Sequence, residues 1–490
     1  SFSLSFPDLL PGSHQLTAVL TGRNTSPVSG GSGFMETEMR LSVNGQSFTQ
    51  IIPGLSGISY LDTYCRENEK NHVFETGSSS LNIQVSKQTA SSTAWIDQLI
   101  LNVKRSLKFR GPYLAFRHLE SVGSGKTARF QLENASTSVR IWEVTSPYDI
   151  REQVADLDGS NLQFTVQTDS LREFVALNLS GSFPAPIPGA AVQNQNLHGV
   201  SNVDMVVVCP PVYQQAGARI ADHHINHDGM QVLLVSPQEI YNEFSSGKQD
   251  IAAIRNFMRH LYNRPDSRLK YLLLVGDGSF DPKYRLSYNT NFIPIYQSPE
   301  SYSPIGSYAS DDFYGLLDPN EGSNIGNANA GMLEIAVGRL PVSYVSEANA
   351  VVDKIIHYAT NRNCLNDWRN TICFISDDED YADHLDQAEA VSAIIDKKHP
   401  VYNIEKIYLD AYQQVSGSGG QRYPQVNTDI NNRVSRGALM MNYAGHGGEQ
   451  SLALERVITI PEINSWTNPD NLTFFMTATC EFARFDNPDF

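Results

Sequence analysis

The 490-residue sequence lacks three features that would each point to a particular class of protein. It has no apolar run near the ~20 residues of a membrane-spanning helix, so we predict that the chain itself does not cross a bilayer. Its 36 basic residues against 53 acidic ones give a net charge of −17, which argues against broad binding of nucleic acid or anionic lipid. Its five cysteines are too few for a disulfide framework, and their odd number leaves at least one thiol free or paired outside the chain.

The first 195 residues consist of short alternating segments broken by glycine, serine and asparagine, as in residues 39–48 and 128–144. This pattern is typical of antiparallel strands and predicts an all-β, sandwich-like region. Residues 181–199 contain three prolines and little periodicity, which suits a connector between domains. From the density of turns we divide the region into a β-sandwich domain over residues 1–110 and a β-rich domain with its connector over residues 111–195.

From residue 196 onwards, apolar strands alternate with amphipathic helices. Near-continuous apolar runs such as residues 203–208 and 271–275 are typical of buried parallel strands. Repeats of strand, helix and strand predict a doubly wound α/β fold. A break at residues 360–370 divides it into two similar subdomains, residues 196–362 and 363–490.

Two apolar strands of the second subdomain end in residues that can perform acyl transfer. One strand runs into Gly445-His446-Gly447-Gly448, and the other runs into Thr479-Cys480. Functional residues of open α/β sheets collect at the carboxyl ends of the strands, so we expect His446 and Cys480 to be neighbours. An imidazole beside a thiol favours the nucleophilic thiolate and supplies a proton for the leaving amine. The pair therefore predicts a cysteine nucleophile, Cys480, with His446 as general base and acid.

Glycine after the histidine leaves room for a peptide substrate and for a developing oxyanion. The backbone N–H groups of Gly447, Gly448 or Cys480 itself are candidate oxyanion donors, and we choose Gly447. The alternative is that Cys480 has only a structural role, since free cysteines often pack as small hydrophobic residues.

The sequence NYAGHGGE (442–449) followed by TATC (477–480) resembles the paired signature of the gingipain-type (C25) cysteine peptidases. Three further segments match the same family in order: YLLLVGDGS (271–279), SDDFYGLLD (310–318) and AVGRLP (336–341). The resemblance covers residues 200–490 and implies a caspase-like fold with His446 and Cys480 as its catalytic pair.

The resemblance also implies an acidic residue that orients the histidine from the end of the second subdomain's first strand. That position falls within Asp377, Asp378 and Glu379, and we choose Asp378. The alternative is that this acidic run is a solvated loop or a helix N-terminus, where carboxylates interact favourably with the helix dipole.

Within the family, residues 446–457 and 477–488 are most similar to the sortase of the type IX secretion pathway. This similarity implies an enzyme of the bacterial cell surface or outer membrane, exported through the periplasm, that removes the C-terminal signal domain of cargo through a thioester at Cys480. It further implies transfer of cargo to an amine of anionic lipopolysaccharide, and a PorV-like outer-membrane β-barrel partner. Two alternatives stay open: a gingipain-like secreted endopeptidase that only hydrolyses, and a catalytically silent scaffold.

Other motifs are weaker. GSGKT at 123–127 lacks the first glycine of a phosphate-binding loop and precedes a strand-like segment, so we reject a nucleotide site. His223 and His227 have a spacing that can hold zinc, but a surface helix end is the stronger interpretation. The acidic loops 276–281 and 318–324 offer oxygen ligands for structural calcium, against the alternative of solvated turns.

We expect no required cofactor for the predicted chemistry. The sequence ends at Phe490, whereas the catalytic fold of the family continues well beyond its nucleophile. We therefore expect part of the pocket wall to lie outside these residues, which leaves the activity of this chain open.

Overall fold

A computed structural model describes residues 1–489 except 58, 60, 61, 190, 300, 304, 305 and 323–330. It divides into two compact units, Ser1–Val192 and Gln193–Phe490. Antiparallel sheets form the first unit, and parallel sheets covered by helices form the second, which confirms the predicted fold class. The finer domain bounds given above stay predictions.

The first unit is built from strands β1 (Phe2–Ser5), β2 (Gly12–Arg23), β3 (Thr37–Val43), β4 (Gln46–Ile52), β5 (Arg66–Thr76), β6 (Ser80–Lys87), β7 (Thr93–Asn102), β8 (Tyr113–Arg117), β9 (Thr127–Leu132), β10 (Val139–Glu143), β11 (Arg151–Gln153), β12 (Asp156–Asp158), β13 (Asn161–Gln167) and β14 (Glu173–Asn178). Many of these strands alternate buried and exposed residues, because successive side chains of a strand point to opposite faces.

The strands of the first unit form two sandwich-like cores. In one, the sheet β1-β6-β3-β4 and the sheet β5-β2-β7 share buried residues such as Leu16 and Leu41. In the other, β11-β10-β14-β8 and β12-β13-β9 enclose Phe130, Phe164 and Phe174, whose rings lie 5.1–5.2 Å apart. Alternating apolar residues thus account for both cores.

The second unit contains strands β15 (Met205–Val208), β16 (Val232–Val235), β17 (Tyr271–Val275), β18 (Tyr296–Gln297), β19 (Ala309–Ser310), β20 (Ala336–Leu340), β21 (Thr371–Ser376), β22 (Asn403–Tyr408), β23 (Val415–Gly417), β24 (Gly420–Arg422), β25 (Met440–Ala444), β26 (Gly447–Gly448), β27 (Ser451–Leu452), β28 (Ile458–Thr459) and β29 (Phe474–Ala478). Its helices are α1 (Gln214–Asp228), α2 (Pro237–Phe244), α3 (Ile251–Tyr262), α4 (Val345–Thr360), α5 (Asp383–Lys398), α6 (Pro424–Arg436) and α7 (Ile460–Ser465).

Two parallel four-stranded sheets organise this unit. The first sheet has the order β16-β15-β17-β20, and the second has the order β22-β21-β25-β29. Helices α1 and α4 cover one face of the first sheet, while α2 and α3 cover the other. In the second sheet, α5 and α6 pack on opposite faces. Both halves are therefore doubly wound, as the alternation of strands and helices predicts.

Local sequence signals explain where helices of the first half begin. The Ser236 side chain accepts a hydrogen bond from the backbone N–H of Glu239 and so caps α2. Asp250 caps α3 through the N–H of Ala252, at 2.8 Å. Within the part of the chain that the structure describes, no helix has the length and apolarity needed to cross a membrane.

Candidate active site

Three neighbouring strands of the second sheet end in register. Their paired residues form one row across the sheet: Ser376, Ala444 and Ala478. Asp378, His446 and Cys480 each follow this row by two residues. Parallel strands in register end at the same edge, so the three predicted site residues follow adjacent strands at one edge of the sheet.

The backbone of His446 is held from two sides. Its N–H donates to Asp377 Oδ2 at 2.9 Å, and its carbonyl accepts from the Tyr443 hydroxyl at 2.7 Å. Asp377 is fully buried, and burial raises the pKa of its carboxyl group. Gly445 permits this arrangement, because a Cβ there would lie 2.4 Å from Asp377 Cβ. The position of the histidine thus depends on packing beneath it.

The imidazole of His446 is paired with a carboxylate and faces a second imidazole. His446 Nε2 lies 3.0 Å from Asp380 Oδ2, and its side chain is 33% exposed. The ring of His384 stands at 89° to that of His446, with centroids 5.2 Å apart. Asp380 is therefore the carboxylate that contacts the His446 imidazole, in the position that the acidic member takes in Cys–His–acid sites.

This geometry differs from the prediction, which chose Asp378 as the orienting acid. Asp378 Oδ2 instead accepts from the Tyr423 hydroxyl at 2.6 Å. Asp380 reaches the imidazole because Asp380, Tyr381 and Ala382 all adopt positive φ angles of 58°, 57° and 71°. Non-glycine residues rarely adopt this conformation, and no sequence pattern predicts three such residues in succession. The sequence-based prediction therefore considered only the acidic residues directly after the strand.

Cys480 lies exposed at the tip of β29, close to the histidine loop. The Gly445 N–H donates to Ala478 O at 3.3 Å. A Cβ on Gly447 would lie 2.4 Å from Thr479 Oγ1 and 3.1 Å from Cys480 O. Gly447, the predicted oxyanion donor, is thus next to the backbone of Cys480, and any larger residue would separate the two loops.

The five cysteines differ in their access to solvent. Cys480 is exposed, and the other four cysteines are buried: Cys65, Cys209, Cys364 and Cys373. Burial raises the pKa of Cys209 to about 11 and that of Cys373 to about 12, so both stay protonated near neutrality. Cys480 is therefore the cysteine that a substrate can reach.

A model of peptidase family C25 matches residues 199–490, which is more than half of the chain. This chain belongs to peptidase family C25. Gingipain R2 of Porphyromonas gingivalis is 22% identical to it over 285 residues, which are 58% of this chain and 33% of that protein. The resemblance to gingipain-type peptidases is thus confirmed.

Two solved structures are similar to this C25 chain. Dimeric latent PorU from Porphyromonas gingivalis has a TM-score of 0.63 and 24% identity, over 73% of this chain and 35% of that one. The Arg-specific cysteine proteinase gingipain R has a TM-score of 0.43 and 19% identity, over 59% of this chain and 56% of that one. The chain thus spans about one third of the length of gingipain R2 and of PorU.

In this C25 chain, charged residues tie the histidine loop to the segment after Cys480. Glu449 Oε1 lies 3.2 Å from Arg484 Nη1 and accepts from Asn487 Nδ2 at 3.1 Å. Arg484 Nε also donates to the buried carboxylate of Asp486 at 3.0 Å. Sequence analysis missed these residues, although opposite charges in two loops that follow strand tips are a signal for such a contact.

The structure describes the local surroundings of the weaker motifs. The last residue of GSGKT, Thr127, begins strand β9 rather than a helix, consistent with rejecting a phosphate loop. His223 and His227 lie on α1 with rings stacked 4.9 Å apart, and His224 Nδ1 is paired with Asp228 at 2.6 Å. No role in the strand-tip site follows for them.

The acids of loop 276–281 are buried rather than solvated. Asp277 Oδ2 accepts from Ser343 Oγ at 3.2 Å, and Asp281 Oδ2 accepts from Leu286 N at 2.8 Å. These hydrogen bonds offset part of the cost of burying the two carboxylates, and calcium at this loop stays a prediction. In the second loop, Asp318 and Glu321 each have a carboxylate oxygen within 4.8 Å of one another and of Glu334, which lies outside the loop. Residues 323 and 324 lie outside the described part.

Proposed function

We propose that this chain carries the catalytic unit of a cysteine endopeptidase, with Cys480 as nucleophile and His446 as general base and acid. The observation that carries the proposal is that His446 and Cys480 each lie two residues beyond the paired residues Ala444 and Ala478 of adjacent strands. In addition, a carboxylate oxygen of Asp380 lies 3.0 Å from the His446 imidazole. Membership in a peptidase family supports the same chemistry. We expect the reaction to need no cofactor.

In the proposed reaction, His446 accepts the thiol proton as Cys480 Sγ attacks the carbonyl carbon of the scissile peptide. The tetrahedral oxyanion is stabilised by backbone N–H groups, for which Gly447 is the candidate. Collapse breaks the C–N bond, and the imidazolium gives its proton to the leaving amine. The amino-terminal part of the substrate stays bound as a thioester on Cys480, and the carboxyl-terminal part leaves with a free amino group.

We assign the orienting role to Asp380 rather than to Asp378. Asp380 is the ion-pair partner of the His446 imidazole at 3.0 Å, whereas the Asp378 carboxylate accepts from Tyr423. A carboxylate at this distance holds the imidazole ring in one orientation during attack. Asp380 is thus a positioning residue.

The thioester can be resolved in two ways, and this choice decides the substrate class. Attack by water gives an endopeptidase, whereas attack by an amine gives a transpeptidase. We propose the second outcome: removal of the C-terminal signal domain from type IX secretion cargo and transfer of the cargo to an amine of lipopolysaccharide, at the cell surface and beside an outer-membrane β-barrel partner. The resemblance of residues 446–457 and 477–488 to the sortase branch, together with the fold similarity to PorU, supports it.

The test uses the full-length protein with cargo that carries a C-terminal signal domain. We expect both Cys480→Ala and His446→Ala to stop removal of the signal domain while thermal unfolding stays cooperative. Unchanged processing in the folded Cys480→Ala variant would establish a scaffold role instead.

Mass spectrometry of the cargo carboxyl terminus separates the two enzymatic functions. A new amide to an acceptor amine is expected for a sortase, and a free carboxylate for an endopeptidase that only hydrolyses. Cargo with free carboxylates alone, in the presence of lipopolysaccharide, would reject transfer and leave the peptidase proposal standing.

A further inference from the structure

A crevice of about 490 Å³ lies at the junction of the two sandwich-like cores of the first unit. Its lining includes residues 114–117 of β8, residues 128–131 of β9, and residues 101–103 and 105–107 from the connection between the two sandwiches. This volume is in the range of sites that bind ligands. The crevice contains none of the residues to which we assign catalysis.

Both β8 and β9 border the crevice with an unpaired edge. β8 is the last strand of the sheet β11-β10-β14-β8, and β9 is the last strand of the sheet β12-β13-β9. Successive side chains of a strand point to opposite faces, so a cavity that touches four consecutive residues runs along an edge of the strand. Within the described part of the chain, no backbone hydrogen bond joins that edge of either strand to a further segment. Unpaired edges of this kind are templates for another strand.

The hydrogen bonds directly after β9 show which of its residues face this edge. Glu133 N donates to Leu107 O at 2.9 Å, and Phe109 N donates to Glu133 O at 2.8 Å. This contact lies on the edge that β13 leaves free. Backbone groups alternate between the two edges of a strand, so the odd-numbered residues of β9 face the crevice. Arg129 and Gln131 therefore each direct an N–H and a C=O towards it.

The crevice combines apolar surface with positive charge. Its apolar lining comes from both cores and includes four partly buried side chains: Leu101, Val103, Leu114 and Phe116. Its charged lining residues are all basic: Arg105, Arg117 and Arg129. No Asp or Glu lines the crevice as described, although the whole chain has a net charge of −17. The local charge therefore complements an acidic ligand.

Arg129 is the lining arginine with the greatest capacity for a ligand. Arg117 Nη1 already lies 2.6 Å from Glu173 Oε1, and Arg105 Nε already donates to Pro7 O at 2.9 Å. Arg129 is exposed on β9 and belongs to no ion pair among the described residues. A guanidinium in this state can form strong paired hydrogen bonds with a carboxylate. One residue thus offers both a backbone edge and a cation.

We propose that the crevice binds an extended, acidic segment of a partner protein, which pairs as a strand with the open edge of β9. Main-chain hydrogen bonds to Arg129 and Gln131 hold the segment, and its apolar side chains contact the apolar lining. Strand addition gives affinity through the backbone and specificity through alternate side chains. A fatty acid fits the apolar and basic lining but leaves the backbone edge unpaired, so a polypeptide is the favoured ligand.

This binding site goes beyond the proposed function, because peptide binding requires neither Cys480 nor His446. It is therefore measured on the full chain with Cys480→Ala, so that the probe is not cleaved. The probe is a fluorescently labelled heptapeptide in which Glu alternates with Val and Phe, and its anisotropy is followed during titration. We expect it to bind at least about tenfold more tightly than the same peptide with Lys in place of Glu.

N-methylation of the probe tests strand pairing. The two sets of alternate residues of a strand direct their N–H groups to opposite edges. Methylation of one set should therefore abolish binding, whereas methylation of the other set should change the affinity by less than about threefold. Equal effects of the two sets would reject pairing through one edge.

Two pairs of variants test the protein side, each checked first for cooperative thermal unfolding. Arg129→Glu should weaken binding of the acidic probe at least about tenfold, whereas Arg140→Glu, at an exposed position of β10 outside the crevice, should leave it unchanged. Gln131→Pro removes an N–H from the open edge without affecting the ladder to β13, so it should abolish binding, whereas Gln131→Ala should retain it. If Gln131→Pro does not fold, Arg129→Glu and the methylated probes decide.

Three results would each overturn the proposal. The acidic probe does not bind at about 1 mM. Folded Arg129→Glu binds the acidic probe as the parent does. The chain binds cis-parinaric acid, a fluorescent fatty acid, and loses it in Arg129→Glu while the probe does not compete, which would assign the crevice to a lipid.

Discussion

The two parallel sheets of the second unit share one topology and differ in chemistry. Each places its four strands, taken in chain order, in the sequence 2-1-3-4. Two residues past the last common row, the first sheet has Pro210, Pro237, Gly276 and Pro341. At the equivalent row the second sheet has Asp378, Asp410, His446 and Cys480. The carboxyl ends of parallel strands are a common location for an active site, and the side chains there determine whether a sheet has one.

The pKa of Glu243 in the first half and the pKa values of two carboxylates in the second half shift in opposite directions. In the first half, burial of Glu243 is outweighed by hydrogen bonds from Leu197 N, Gln195 and His198, which together lower the pKa of Glu243 to about 2. In the second half, burial raises the pKa values of Asp377 and Glu455. Glu243 is thus satisfied by donors and stabilises the fold, whereas Asp277 of the first half resembles Asp377, because burial raises the pKa of both.

The largest expected effect is on the nucleophile. Cys480→Ala should lower kcat/KM for a cargo peptide by on the order of 10⁴-fold or more, because the thioester cannot form. The control is Cys209→Ala, which removes a buried cysteine at the tip of β15 in the first sheet. That variant should keep its activity per folded molecule, as measured by peptide cleavage. Equal losses in the two variants would mean that the two sheet edges are not functionally different.

A smaller effect is expected for the orienting acid. Asp380→Asn should lower kcat by about 10²-fold with little change in KM, because the imidazole loses its charged partner but the substrate contacts stay. Asp410→Asn, an exposed residue at the same row of the second sheet, should stay within about twofold of the parent. Steady-state kinetics of both variants test the assignment, which fails if Asp380→Asn retains the parent kcat.

Two adjacent glycines provide a test of the close approach between loops. In Gly447→Ala the added methyl group would meet Thr479 Oγ1 at 2.4 Å, whereas in Gly448→Ala it would meet no atom within 4 Å. We expect Gly447→Ala to reduce kcat/KM by about 10-fold or more and Gly448→Ala to have little effect. Similar activities of the two variants would show that the loops need not touch.

The smallest effect concerns stability of the first half. The pKa of Glu243 in the folded chain, about 2, lies below its ordinary value of 4.5, so the ionised group stabilises the fold fully above pH 4.5. Glu243→Gln should cost about 2 kcal/mol at pH 7, and the difference should shrink as the pH falls towards 2. Urea unfolding at several pH values measures this, with the exposed Asp222→Asn as control. A difference that does not depend on pH would point to lost packing rather than charge.

Sequence reasoning was strongest where periodicity carries the information. Runs of apolar residues indicated the buried parallel strands, and glycines around His446 indicated a strand tip open to a ligand. It was weakest in the turn after β21, where Asp380 reaches the imidazole through three consecutive residues with positive φ. That turn contains no glycine, so local propensity favours a loop with negative φ angles. Tertiary contacts outweigh this local preference. The partner of His446 was therefore chosen two residues too early.

The sequence by itself determined the order of strands and helices, the change from antiparallel to parallel sheets, and the residue types that could perform acyl transfer. These follow from patterns within a few residues, and from motifs shared with a family. Only the tertiary structure decided that Asp380 pairs with His446 and that Gly447 lies against Cys480. Each of these contacts connects segments from different strand ends, and their distances depend on strand register and turn geometry, which no local pattern specifies.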